Sequence, residues 1–330
     1  LAEANRTIPA ALSHAIARIA PCLRALRHAD GGLARCHGGD RGVEGRLEQA
    51  LAQSGVRAGP PPGPAMGFVR LASGRSTVIV DAAPPPASAL AHAATLAFEL
   101  TSGRRPLIVN CGAGAEFGPD WHLAGRATAS HSTLCLDGIS SSRLGRDGVI
   151  FAERAAVPTA QQAADSGGMH LSALHTGWSA SHGLAHGRVL TLDAQGRRLT
   201  GTDMLESRSP GERKRLAQIL TARPEGVEFS LRFHLHPDVE ATLDTAGAVV
   251  SLALKSGEVW LFRHDGRCAL TLDPSVYLEK GRPQPRAARQ IVLSGLANHF
   301  ETRIGWTLAK AQDTPLAIRD LGREDAQVPV

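Results

Sequence analysis

Three polar residues sit beside strand-like apolar runs: His92 in "LAHAATLAFEL", Asn110 at the end of "PLIVNCG", and His131 in "RATASHSTLCLDG". Residues that meet across a sheet must lie on or beside successive strands, and these do. Two imidazoles and an oxygen would supply three of the four positions around a tetrahedral zinc. Asn110 is the weak member, because a neutral amide oxygen holds a dication less well than a carboxylate. A second set is "FHLHP". It puts His234 and His236 two apart on a strand, so both leave one face while Phe233 and Leu235 take the other. That spacing either chelates a metal or lines the wetter side of a sheet.

Two other motifs carry less. "PLIVNCGAGAEFG" is a strand followed by Gly112-x-Gly114. A dinucleotide site needs a helix that starts at the glycines and aims its N-terminus at the pyrophosphate. Gly118-Pro119-Asp120 comes next and a further strand is expected after it, so no dinucleotide is expected. Ser166 in "ADSGGMH" has the setting of a serine nucleophile, but no recognisable flank supplies its histidine base or carboxylate. It reads as a polar loop.

At 330 residues, with 43% hydrophobic and 20% charged content, the chain can bury one large core or two ordinary ones. No apolar run reaches the roughly 18–20 residues of a membrane span. The net charge of +5 suits an acidic partner, yet only Lys214, Lys255, Lys280 and Lys310 are lysines and the arginines are spread thinly. Nucleic acid wants aromatic stacking or a basic cluster, and aromatics are 4%. Nucleic acid is therefore set aside. Cys22, Cys36, Cys111, Cys135 and Cys268 are far apart, with no C-x-x-C pair, and read as small buried residues.

The elements that would position these groups fall into two segments. Residues 1–62 are expected to be helical: Leu12, Ile16, Ile19, Leu23 and Leu26 recur at helical spacing, and Pro21 is expected to interrupt that helix. "VEGRLEQALAQS" is a second short helix, and "GVRAGPPPGPAMG" marks a boundary. Two helices bury little alone, so they are expected to be the tail of a larger helical domain. Residues 63–330 read as many short alternating strands around S-G, Q-G and D-G turns, an antiparallel sandwich. The Gly-, Ala- and His-rich stretch 142–187 is the least regular part.

In this order, "AHAATLAFELTSGRRPLIVNCG", "RATASHSTLCLDG", "HGRVLTLDAQGRRLTGTD", "RFHLHPDV", "SGEVWLFR" and "QIVLSG" resemble the heparinase II/III-like polysaccharide lyase family. "RHADGGLARCHGGD" is similar to the tail of that family's helical domain. The resemblance implies an antiparallel β-supersandwich after the end of an α/α-toroid, with an acidic, uronic-acid-containing glycan in the cleft between them. It also implies β-elimination and a periplasmic or cell-envelope location, with the cytoplasm left open. A base takes the proton beside the sugar carboxylate and an acid protonates the leaving oxygen.

Carried over by position, His92, Asn110 and His131 hold the family's zinc places, and His131 is the one catalytic candidate in this stretch. Arg104, Arg105, Arg126, His234 and His236 are candidates for substrate contact, since guanidinium groups suit carboxylates and sulfates. The departures are sharp. Where the family has a catalytic histidine two positions before His92 this chain has Leu90, and where it often has a tyrosine four positions after the aspartate this chain has Gly114. The only tyrosine is Tyr277. Zinc is expected to bind weakly or not at all, leaving the triad as a polar network. Two activities are compatible: a lyase whose main catalytic residues lie in the helical domain, or a degenerate glycan-binding or structural member.

Overall fold

A computed structural model describes residues 8–313; residues 1–7 and 314–330, the outer ends of the two expected segments, lie outside the described residues. Helices α1 (Ala10–Ala25) and α2 (Arg46–Gln53) come first. Pro21 does not interrupt α1, which runs through it at the cost of the bond that its N–H would have made to the Ala17 carbonyl. The apolar stripe of α1 is only partly covered: Ala20 and Ala25 are buried, whereas Leu12 and Ile19 are exposed.

The first strands are β1 (Phe68–Ser73), β2 (Ser76–Asp81), β3 (Phe98–Ser102) and β4 (Arg105–Val109). Helix α3 (Pro119–Arg126) follows where a strand was expected, opened by Gly118 and by Pro119, whose fixed φ suits a first helical turn. Then come β5 (Leu134–Leu136), the small hairpin β6 (Arg143–Leu144) and β7 (Phe151–Glu153), β8 (Thr159–Asp165) and β9 (Gly168–Trp178). A short α4 (Ser179–His182) leads to β10 (Leu184–Asp193) and β11 (Arg198–Glu206). Helix α5 (Pro210–Ala222) was not anticipated, although Ser209 and Glu212 form a capping box around Pro210. The remaining strands are β12 (Val227–Leu235), β13 (Glu240–Leu243), β14 (Val249–Ala253), β15 (Val259–His264), β16 (Ala269–Tyr277), β17 (Arg286–Ala297) and β18 (Glu301–Gln312).

These strands make two large antiparallel sheets. The first runs β1-β2-β3-β4-β12-β17-β16, with β5 also on β12; the second runs β13-β14-β15-β18-β11-β10-β9-β8. One hydrophobic core fills the space between them. At its centre Trp306 of β18 meets Phe98 of β3 (5.8 Å) and Phe233 of β12 (4.8 Å). Gly201, opposite Trp306 across the β11–β18 ladder, has to lack a side chain, since a Cβ there would lie 2.1 Å from the indole.

At one end the sheets lock turn against turn. Gly74 in the β1–β2 turn and Gly196 in the β10–β11 turn both have positive φ. A Cβ on Gly74 would lie 2.2 Å from the Gln195 carbonyl, and one on Gly196 1.9 Å from that of Ser73. The Ser73 and Ser76 hydroxyls donate across the seam to Ala194 O and Gly196 O, each at 2.6 Å. The helical segment joins the first sheet through Arg70 of β1, which donates to the carbonyls of Ala25 (3.4 Å) and Arg27 (2.5 Å) past the end of α1.

Candidate functional site

Asn110 and His131 stand at the two ends of an excursion from the first sheet. The chain leaves β4 at Val109, passes through α3 and returns as β5, and both strands pair with β12 (Val109 opposite His234, Leu134 opposite Leu231). The excursion is pinned shut by Ser132, whose hydroxyl donates to Val109 O at 2.7 Å and accepts from the His234 N–H at 2.9 Å. The Cys111 N–H donates to Ser130 O at 2.9 Å. His92 comes from the β2–β3 connection, held to the excursion by Ala93 N–H to Arg126 O (2.8 Å) and the Thr128 hydroxyl to Ala93 O (2.7 Å).

Within this frame His92 Nδ1 and His131 Nε2 are 3.1 Å apart. His131 Nδ1 lies 2.8 Å from Ala127 O, which can only accept, so the network puts the His131 proton on Nδ1 and leaves Nε2 to accept from His92. Burial drives the His92 pKa well below the ordinary imidazole value, with His131 and His37 adding to the effect. Burial likewise pushes His131 down to about 3, against a smaller opposing pull from Ala127 O. Both rings are neutral at pH 7. Asn110, buried beside them, accepts the Ser132 N–H through Oδ1 at 3.0 Å and aims Nδ2 at Glu99 Oε1, 3.5 Å away.

This donor set does not fit zinc. The third group is a neutral amide whose oxygen already holds a backbone N–H, and no carboxylate or thiolate completes the set. Among the described residues no group of three or more His, Cys, Asp or Glu is placed to hold a metal ion. Glu99, the nearest carboxylate, turns its other oxygen to His28 Nε2 (3.1 Å) and the Arg35 N–H (3.3 Å). Burial raises the Glu99 pKa, but His28 and Arg35 outweigh it and keep the group ionised.

The proton-transfer positions are closed as well. Leu90 is exposed and packs beside Gly38, where a Cβ would approach the Leu90 Cβ to 3.1 Å. At Gly114 a Cβ would lie 1.9 Å from the Trp121 carbonyl of α3, so this backbone has no room for any side chain there. Tyr277 is buried under the Arg35 guanidinium, 3.9 Å from its ring centroid, and burial raises its pKa.

The residues put forward for substrate contact divide. Arg104 in the β3–β4 turn, Arg105 at the start of β4, and His236 line a cleft of about 510 Å³ that also holds Asp30, Glu44, Glu48, Asp238 and Glu279, with Arg27 and Arg41 of the helical segment already paired to Glu48 and Asp30. Arg126 points inward instead, its guanidinium donating to the carbonyls of Ala91 (2.9 Å), Gly148 (3.2 Å) and Val149 (2.7 Å), so it is not available to a glycan. His234 is buried between Ser275 Oγ (2.8 Å) and Ala129 O (3.0 Å). It shares no ligand position with His236, whose ring meets Tyr277 edge-on at 5.0 Å.

Several members of the site went unnoticed in the sequence. His37, from the loop after α1, accepts the His92 N–H at 3.1 Å and pairs with Asp81 at 3.1 Å. Arg35 bonds to the carbonyls of Asn110 (3.3 Å), Cys111 (3.2 Å) and Leu278, and needs a glycine at 112, where a Cβ would lie 1.8 Å from its Nη2. The available signal was a carboxylate, Glu99, inside an apolar strand run.

The neutral buried histidines make stability depend on pH. His175 and His186 in the core are also driven down by burial. The unfolded chain takes up protons near pH 6.5 that the folded chain refuses, so stability is full above that value and falls as the pH drops. Each such group contributes about 1.4 kcal/mol per pH unit. A melting temperature that falls from about pH 6.5 to 5 is the expected result. One that stays flat over that range would contradict the neutral network.

The Heparinase II/III-like, C-terminal family matches residues 56–307. FtsZ-localized protein C of Caulobacter vibrioides (strain NA1000 / CB15N) is 33% identical over 331 residues, covering 94% of this chain and 54% of that relative. The chain thus spans about half the length of the curated relative it matches. Heparan sulfate lyase HepC from Pedobacter heparinus superposes with a TM-score of 0.64 at 12% identity, over 88% of this chain and 46% of that one. Heparinase III gives 0.62 at 12%, over 92% and 49%. At such identities the likeness to the two lyases is one of fold.

Proposed function

Because this chain belongs to the heparinase II/III-like, C-terminal family, we propose that it is a non-cleaving member, holding an acidic glycan on a lyase fold without breaking it. The observation that carries this reading is the filling of the reaction centre. Gly114 has no space for a side chain, Leu90 cannot move a proton, His92 and His131 bond to each other, and Asn110 is held by Ser132 and Glu99. Without a base, an acid or a cation beside the sugar carboxylate, elimination has no route through these residues. The glycan is held in the cleft at Arg104 and Arg105, whose guanidinium groups suit its carboxylates. The extended identity to an FtsZ-localised protein supports the same cellular setting, so the full-length protein is proposed to localise with FtsZ.

The test uses the full-length protein and a uronate-containing oligosaccharide. Binding that weakens with salt, drops about tenfold in the Arg104→Ala, Arg105→Ala variant, and produces no unsaturated uronide in the ultraviolet is expected. Release of unsaturated ends would establish the lyase instead. Equal affinity for neutral oligosaccharides would remove the glycan assignment.

A further inference from the structure

Among the described residues the main strand paths end in four edges, β1 and β16 in the first sheet and β13 and β8 in the second, with the three-residue β5 a side branch on β12. Proteins protect such edges with charges, prolines, short strands or a covering segment, because unpaired N–H and C=O groups recruit another strand. Three edges follow this rule. β16 carries Asp273 and Pro274, β13 is four residues long and opens on Glu240, and β1 carries Arg70, bonded to the helical segment. β8 does not. Its sequence "TAQQAAD" has no proline and no charge before its last residue, and most of its outer half is exposed.

The phase of its hydrogen bonds follows from its turn. β8 and β9 join through Ser166-Gly167, with Asp165 opposite Gly168, and the pair flanking a two-residue turn is a hydrogen-bonded one. Asp165, Ala163, Gln161 and Thr159 therefore bond to β9. The backbone groups of Ala160, Gln162 and Ala164 point away from it and have no backbone partner among the described residues. Gln162 is fixed from the other side, its amide donating to Arg70 O at 2.8 Å.

We propose that β8 is a pairing edge for a second copy of this chain, antiparallel about a two-fold axis through Gln162. Of the two-fold positions possible along this strand, the one at Gln162, the central outward residue, sets all three outward residues opposite outward partners, whereas an axis shifted by one residue pairs fewer of them. The axis sets Ala160 against Ala164 of the second copy and Gln162 against itself, all through free N–H and C=O groups. On the solvent face Gln161 meets alanine and Thr159 meets Asp165 of the second copy. A hydroxyl thus faces a carboxylate and no like charges oppose. Asp165 is also paired with His170 on the neighbouring strand, at 3.0 Å. Small, neutral side chains let the strands approach, and the self-complementarity requires no other sequence.

Light scattering and sedimentation of the full-length protein over a range of concentrations test this. The wild type is expected to dimerise. Ala164→Pro, which removes an outward N–H and leaves the β9 ladder intact, should weaken the dimer by about tenfold or more with melting unchanged. The Gln161→Cys, Ala163→Cys double variant should form a covalent dimer that reductant releases, because these positions face each other across the axis; it serves also if the proline variant fails to fold. A protein that stays monomeric at every concentration overturns the proposal. So does a dimer indifferent to Ala164→Pro, and absence of the cross-link overturns the Gln162 axis.

Discussion

Replacing Asn110 with aspartate should destabilise the metal-free protein and give it a larger response to zinc than the native chain shows. The present amide donates toward Glu99 and accepts from Ser132. An aspartate would lose the first contact and set a second buried carboxylate about as close to Glu99, which His28 and Arg35 hold ionised. An uncompensated buried charge of this kind costs about 3–5 kcal/mol. Zinc would reverse the sign, because the new carboxylate joins His92 and His131 as an anionic ligand and the imidazoles are already neutral. With free zinc at about 100 times its Kd the variant should regain about 2.7 kcal/mol. Thermal melts of both proteins with and without zinc decide the matter. An equal rise in the native chain would mean that the original site already holds metal.

A second large effect is expected far from any surface. Asp203 is fully buried and accepts from His186 (2.7 Å), Arg188 (2.8 Å) and Trp306 (2.8 Å). Burial alone would raise its pKa, but Arg188 and His186 bring it down to about 2. Its folded pKa lies below the unfolded value near 3.9, so its contribution is present above that pH and is lost as the pH falls toward 2. Asp203→Ala leaves the Arg188 guanidinium buried without its counterion, and a loss of about 3–5 kcal/mol follows. Total stability of such domains is about 5–15 kcal/mol, so the variant should lose a large share of it. Arg188 also donates to the carbonyls of Leu96 (2.6 Å) and Ser132 (3.0 Å), which links the core to the residue next to His131. Chemical denaturation measures the loss, and a change within about 1 kcal/mol would show that the network is dispensable.

How far the sequence revealed this architecture depended on how local the signal was. Turn glycines such as Gly74, Gly103 and Gly196 between alternating runs made the hairpins legible, since a residue at positive φ marks a turn by itself. Resemblance placed His92, Asn110 and His131 together, and the first and last of them do touch. Helix α3 was missed because its apolar face is short and its start is set by Gly118-Pro119; α5 had a readable start in Ser209-Pro210-x-Glu212. The core network was harder to see. His186 and Arg188 occupy the same inward phase as Leu190 and Leu192 in β10, and only the partner strand's Asp203 makes sense of them. Arg126 misled for the opposite reason. Its charge suggested an outward ligand, whereas three backbone carbonyls claim it.

The turn-on-turn seam at Gly74 and Gly196 bears on where this chain can tolerate insertions, in the laboratory or over its history. Hairpin tips are ordinarily the first places to accept extra residues. Here each tip is the floor of the other, so lengthening either one would push the two sheets apart and leave Ser73 and Ser76 without their acceptors. The β13–β14 turn is different: Gly247 also has positive φ, but nothing lies within 4 Å of where its Cβ would be. A fluorescent domain for following the protein in cells therefore belongs at that open tip. Length variation among homologues should gather there too, while the two interlocked turns keep a constant number of residues.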